Sequence, residues 1–110
     1  MDSVEAPVQR QLEAYNAHDL DRFVAEYSDD ILVFRPPAAE PVISGKRAFA
    51  EHYARNRFNL PELHATVVSR IVSGDIVVDH EQVTGLPDGP RAAVAVYRVK
   101  QGRIAAVWFF

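Results

Sequence analysis

The chain has 110 residues, 48% of them hydrophobic and 25% charged, with a formal net charge of −3. That suits one domain whose core removes on the order of two-thirds of the unfolded surface from water. Acids and bases are interspersed with no basic run, which argues against a nucleic-acid partner. The absence of cysteine excludes disulfides and thiolate metal sites. No apolar run reaches membrane-spanning length. Met1-Asp2-Ser3-Val4-Glu5 has neither a basic nor an apolar leader region, so the expected location is the cytoplasm.

Pro7 suits the first turn of a helix whose apolar face is Val8, Leu12 and Tyr15. Asn16-Ala17-His18 interrupts it. Asp19 is placed to N-cap a second helix with Leu20, Phe23, Val24 and Tyr27 on its apolar face. Ser28-Asp29-Asp30 breaks that helix, and the apolar run over residues 31–34 predicts a strand. Pro36, Pro37 and Pro41 predict an irregular loop. Ser44-Gly45-Lys46 starts a third helix with Phe49, His52, Tyr53 and Asn56 near one face, and residues 59–62 end it. Short strands follow over 64–72, 76–84, 91–100 and 103–110. They are joined at Ser73-Gly74-Asp75, at a turn over 85–90, and at Gln101-Gly102, where Gly102 supplies a positive φ. The order α-α-β-α-β-β-β-β, with antiparallel hairpins after helices, predicts one α+β domain over residues 1–110.

The pattern Tyr15-Asn16-Ala17-x-Asp19-Leu20-Asp21, then Phe23, Tyr27, Asp29-Asp30, Val33 and Pro36, resembles the nuclear-transport-factor-two-like superfamily. That superfamily includes SnoaL-like polyketide cyclases and ketosteroid isomerase. The resemblance covers nearly the whole chain and implies a cone, in which a curved, mainly antiparallel sheet wraps around helices and encloses an apolar pocket. Ketosteroid isomerase uses a carboxylate base and an oxyanion hole made of a phenol and a neutral aspartic acid. Aligned through the resemblance, those positions fall on Arg35, Gln11 and Ala95. Arginine is no base at neutral pH, so steroid isomerisation by that mechanism is not expected.

Asp79-His80-Glu81 is the leading candidate for other chemistry, because three ionisable residues interrupt an apolar strand. Alternation puts Asp79 and Glu81 on one face with Val77 and Val83, and His80 on the other with Val78 and Gln82. Inward carboxylates would form an acid/base pair, since burial and mutual repulsion raise one pKa. An inward His80 would be a single base or polar anchor, and the offset from the Ser44-Gly45 turn favours this arrangement. On a half-exposed strand, all three would be plain surface or interface polar residues. His52 falls where the resemblance suggests a pocket-facing aromatic; its alternative is an exposed position beside Glu51. His64 reads as structural and His18 as exposed, and the four histidines lack ligand spacing, so no metal site is expected.

Tyr15, Phe23, Tyr27, Phe34, Tyr53, Tyr97 and Phe109 are the large residues expected around the pocket or core. Buried phenols need partners, and Tyr15 and Tyr97 could offer theirs to a ligand. Arg35 and Arg98 could pair with Asp79, Glu81 or an acidic ligand, or face solvent. In the apolar stretch over 105–110, Val107 and Phe109 share one face and Trp108 and Phe110 the other. The resemblance implies a homodimer through the outer sheet face, with Trp108 or Phe110 near the contact.

Two functions follow. The first is a binding protein or cofactor-independent acid/base enzyme of isomerase, cyclase or hydratase type, acting on a small hydrophobic molecule in the cone. In it His80, Asp79 and Glu81 are the candidate acid/base groups. The second is a non-catalytic dimerisation or association module, which would have a small or water-filled cone.

Overall fold

The computed structural model describes residues 3–110; the expectation for Met1 and Asp2 lies outside them. Helix α1 (Ala6–Asn16) has Pro7 in its first turn and buries Val8, Gln11, Ala14 and Tyr15. The break after it fastens the helix to the sheet. The Asn16 side-chain amide donates to the Ala65 carbonyl at 2.9 Å, and its oxygen accepts from the Ala65 N–H at 2.8 Å. His18 takes the left-handed conformation at φ +57°, and its Nε2 sits 2.7 Å from the Leu63 carbonyl oxygen. Asp19 then caps α2 (Leu20–Ala25) by accepting from the Arg22 N–H.

Helix α2 stops earlier than its apolar spacing suggests. Tyr27 opens strand β1 (Tyr27–Phe34) rather than closing the helix. Ser28, Asp29 and Asp30 are poor helix formers, and an irregular ladder between Tyr27 and Leu32 lets them run extended with both aspartates exposed. The proline loop also contains a short strand that its composition hides. This is β2 (Ile43–Ser44), antiparallel to Val33 and Leu32 of β1. Gly45, at φ +89°, turns the chain into α3 (Lys46–Asn56), which buries Phe49 and Tyr53.

Four strands complete the sheet: β3 (His64–Ser73), β4 (Ile76–Thr84), β5 (Arg91–Lys100) and β6 (Arg103–Phe109). The order across its six strands is β2-β1-β6-β5-β4-β3. Only β1 and β6 run parallel; the other neighbours are antiparallel. Gln101 and Gly102 both have positive φ, +52° and +76°, the geometry that matches the twist of a tight hairpin. Bulges between Val67 and Ser69 and between Arg98 and Val99 add local twist and bend the strands. The result is an open, mixed, curved sheet against helices, the α+β cone. Its core is aromatic. Phe23 stands at the centre, with ring centroids of Tyr15, Tyr27, Phe49, Tyr53 and Phe58 between 4.9 and 5.7 Å away. Among the described residues no helix is long and apolar enough to cross a membrane.

Candidate functional site

The cone encloses a cavity of about 330 Å³ between α1, α3 and the concave face of the sheet. Its wall includes Tyr15, Tyr27, Tyr53 and Tyr97, which are all the tyrosines of the chain. Phe23, Phe109, Leu12, Val83 and Leu86 add apolar surface. Ala65, Ala92 and Ala93 leave the space open, since methyl side chains fill little of it.

Strand β4 alternates strictly. Val77, Asp79, Glu81 and Val83 are buried, while His80 and Gln82 are exposed. The carboxylates therefore point inward and His80 outward, against the offset argument from the Ser44-Gly45 turn. That argument fails because the strand bulges opposite β4, between Val67 and Ser69, so a residue offset does not carry orientation. His80 has no access to the cavity.

Asp79 and Glu81 share a face but not a situation. Asp79 lies opposite Arg70 on β3. The guanidinium donates twice to its carboxylate, Nε to Oδ1 at 2.7 Å and Nη2 to Oδ2 at 3.0 Å. A third donation from Arg70 goes to Gln9 Oε1 on α1 at 3.0 Å, and Glu5 lies 3.6 Å away. Asp79 is thus a buried, paired carboxylate that ties β4 to β3. Glu81 is 8% exposed and lines the cavity. No side chain among the described residues hydrogen-bonds its carboxyl. Burial, and next the charge of Asp79, push its pKa from 4.5 up to about 7, with Arg70 opposing.

Neutral phenols surround this carboxyl. Burial raises the pKa of Tyr15 to about 12 and pushes those of Tyr27, Tyr53 and Tyr97 higher, and the charge of Glu81 adds to the rise in all four. Each remains a hydrogen-bond donor across the physiological range. Gln11 orders two of them. The Tyr27 hydroxyl donates to Gln11 Oε1 at 3.0 Å. Gln11 Nε2 donates to the Val8 carbonyl at 3.0 Å and to Tyr97 Oη at 3.4 Å. Tyr97 accepts in that contact, so its own O–H is left for the cavity.

The remaining sequence-derived candidates divide clearly. Tyr15, Tyr27, Tyr53, Tyr97 and Phe109 line the cavity. Phe34 does not: Ile31 and Val33 take the inward positions of β1, and Phe34 stacks on Trp108 on the outer face at 5.2 Å. Phe110, expected beside Trp108, instead reaches the cavity mouth at the end of β6. His52 is half-buried on α3, outside the lining, with Asn56 Nδ2 at 3.3 Å from its Nδ1. Its pKa is lowered, first by burial and then by the charges of Arg57 and Arg35. His64 is exposed. Arg98 lies on the outer face over Trp108, 5.4 Å from the ring centroid. Among the described residues no three of His, Asp and Glu converge as a metal-ligand set.

Arg57 and Arg91, which sequence reasoning missed, line the cavity with Arg35. No local pattern marks them, since they stand on separate elements. Arg70 was missed too, although the cross-strand register that pairs it with Asp79 follows from the Ser73-Gly74-Asp75 hairpin. The positions that the resemblance assigns to the isomerase roles are now placed. Gln11 is in the wall, Arg35 is at the mouth, and Ala95 is on β5 directly opposite Asp79.

The SnoaL-like domain family matches residues 8–107. Among solved structures, the chain is similar to an uncharacterised cystatin-fold protein from Novosphingobium aromaticivorans, at 26% identity and a TM-score of 0.88, covering 100% of this chain and 99% of that one. It is also similar to a candidate polyketide cyclase from Sinorhizobium meliloti, at 21% identity and a TM-score of 0.80, over 94% and 93% of the two chains. A Δ5-3-ketosteroid isomerase from Mycobacterium sp. matches at 24% identity and a TM-score of 0.78, over 97% and 91%. The last two likenesses show the shared fold; the family match carries the assignment, and the chain belongs to the SnoaL-like domain family of the nuclear-transport-factor-two-like superfamily.

Proposed function

We propose that the protein binds a small apolar carbonyl compound in the cone and moves a proton on it, with Glu81 as the base and Tyr97 as the oxyanion donor. The observation that carries this reading is a single unpaired carboxyl, its pKa near neutrality, facing a cavity walled by neutral phenols. Such a group is ionised and protonated in comparable amounts at neutral pH, which lets it both take and return a proton. The carboxylate takes a proton from the carbon next to the carbonyl. The electron pair left behind moves onto the carbonyl oxygen, where the Tyr97 O–H donates a hydrogen bond to it. Return of the same proton from Glu81 to a different carbon completes an isomerisation. Where the enolate carbon instead attacks a second carbonyl of the same molecule, that carbonyl's electron pair becomes an alkoxide, and return of the proton to it completes a cyclisation. Asp79, locked by Arg70, touches no ligand and acts only by its charge on Glu81.

The volume of about 330 Å³ lies at the lower end of small-ligand pockets, room enough for a small molecule. The superfamily neighbours, a candidate polyketide cyclase and a ketosteroid isomerase, fit the same class of proton transfer. The isomerase's own residues do not recur at the aligned positions; here Glu81 on β4 takes the base role that Arg35 cannot fill, and Tyr97 takes the donor role that Ala95 cannot.

A thermal-shift screen of unsaturated ketones graded in size identifies ligands. At about 100 times its dissociation constant a ligand adds roughly 2.7 kcal/mol. Solvent-deuterium incorporation into a bound ketone, followed by NMR, then reads the proton transfer. The expected rate rises with pH through about 7, the value for Glu81, and Glu81→Gln lowers it by roughly 10²–10⁴-fold. An unchanged rate in Glu81→Gln rejects the assignment, and a flat response to every ketone returns the weight to an association module.

A further inference from the structure

We propose that the natural ligand is an organic carboxylate, held with its apolar body in the cone and its carboxylate among Arg35, Arg57 and Arg91 at the mouth. The inference rests on the cone being a ligand site and adds which class of molecule it takes. The three arginines reach one place from three elements. Arg35 follows β1 and Arg91 opens β5. Because β1 runs parallel to β6 while β5 runs antiparallel to it, the end of β1, the start of β5 and the Phe109-Phe110 end of β6 lie at the same edge of the cone. Arg57 joins them from the C-cap of α3.

These cations are not spent elsewhere. Arg35 lies over the Phe109 ring, 5.1 Å from its centroid, and among the described residues no carboxylate pairs with Arg35 or Arg57. Arg57 donates to the Asn56 carbonyl at 2.7 Å and to the Tyr15 hydroxyl in the cavity wall; both partners are neutral, so its charge is not compensated. Arg91 has Asp88 at 3.9 Å, but Asp88 is 88% exposed, and such a pair is weak. The field at the mouth is nevertheless felt by its neighbours. Arg57 and Arg35 both disfavour the protonated form of His52 and both lower the pKa of Tyr53. The chain as a whole is acidic, with a net charge of −3, so this positive rim opposes the general balance.

The rim does not neutralise the carboxyl at depth. The charges acting on Glu81 are those of Asp79 and Arg70. A ligand spanning the cavity therefore meets a guanidinium cluster at one end, an aromatic wall along its body and an unpaired carboxyl at the other. Guanidinium forks match carboxylates in plane and charge. An anionic group at the rim and a carbonyl at depth would be two ends of one molecule.

The test compares matched acid and amide pairs by isothermal titration at about pH 8: phenylacetate with phenylacetamide, phenylbutyrate with its amide, and naphthylacetate with its amide. Each pair has one shape and differs in charge. The expected result is that at least one acid binds about tenfold or more tighter than its amide, and that the preference shrinks as salt rises from roughly 50 to 500 mM. Arg35→Gln and Arg91→Gln are exposed changes that leave the fold intact, checked by melting temperature. Each should weaken acid binding by about tenfold and leave amide binding within about twofold; Arg57→Lys should fall between. Equal affinity for acids and amides overturns the carboxylate proposal while leaving the cone as a ligand site. Absence of binding by every acid and every amide overturns both. Glu81→Gln separates the two further, because it should lower proton transfer by roughly 10²–10⁴-fold without reducing acid binding.

Discussion

Replacing Glu81 by Gln should stabilise the protein, and by an amount that depends on pH. Folding lifts the pKa of Glu81 from 4.5 to about 7. Below 4.5 the carboxyl is protonated in the folded and the unfolded chain alike, and the group costs nothing. Between 4.5 and about 7 the unfolded chain releases its proton while the folded chain keeps it, so stability falls as pH rises. Above about 7 both forms are ionised and the loss is complete. At about 1.4 kcal/mol per pH unit, a rise from 4.5 to about 7 amounts to about 3 kcal/mol. Gln matches the protonated acid in shape and does not titrate. For a domain of this size about 4 °C accompanies each kcal/mol, so the melting temperature of Glu81→Gln minus that of the wild type should widen by on the order of 10 °C between pH 4.5 and pH 8. Groups that titrate alike in both proteins cancel in the difference. Those facing Glu81 are Asp79 on its own strand, Arg70 on β3, and the phenols of Tyr15, Tyr27, Tyr53 and Tyr97. Paired denaturation scans across that range decide the matter. A difference that stays flat from pH 4.5 to 8 refutes the reasoning, because it means the carboxyl is no harder to ionise in the fold than out of it.

Arg70→Met leaves Asp79, 1% exposed in its side chain, buried without its partner; it should cost about 3–5 kcal/mol in urea denaturation, and the double variant Arg70→Met/Asp79→Leu should recover most of that. Gly85→Ala should cost about 3 kcal/mol, since φ is +81° and the new Cβ would run into the Glu62 carbonyl; a melting temperature within a degree or so of wild type would refute it. The outer face, where Phe34 stacks on Trp108, is proposed as a homodimer contact: sedimentation at micromolar concentration should give a dimer for the wild type and a monomer for Trp108→Glu, and a monomeric wild type ends that proposal.

Much of the fold was legible because its signals are local. Asp19 caps α2, Gly102 closes a hairpin and β4 alternates, each by rules that act within a few residues. The sequence missed β2 because two residues beside a proline loop carry no period, and their strand character comes only from pairing with Leu32 and Val33. Tyr27 was misplaced for a related reason. An aromatic at helical spacing from Phe23 also fits the first position of a strand, and the ladder with Ile104 of β6 decided it. In the site, alternation separated the carboxylates from His80 but left open which set faced the cavity. The inward face is the one that lines the cavity with Tyr15 of α1 and Tyr53 of α3, a long-range fact. The arginine rim was illegible for the same cause, as residues 35, 57 and 91 meet only through the sheet order.

Asp79 and Glu81 show why residue type and face do not suffice to assign chemistry. Both are acidic, both are buried, and both point to the same side of β4. The difference lies one strand away. Arg70 stands opposite Asp79, and its fork takes both carboxylate oxygens. Opposite Glu81 on β3 is Val67, and on β5 it is Ala93; neither side chain can donate. The arginine thus holds one acid in a structural pair and leaves the other with the full cost of burial. Asp79 then adds its negative charge to that cost. The pair works as a unit in which the satisfied carboxylate keeps its neighbour near neutrality, poised between base and acid. On this argument, Asp79→Asn should shift the pH profile of proton transfer toward lower pH while leaving its maximum within a few fold, because it removes a repelling charge and touches no ligand. A profile that keeps its midpoint would mean that burial alone sets the pKa of Glu81 and that Asp79 serves only to hold β3 against β4.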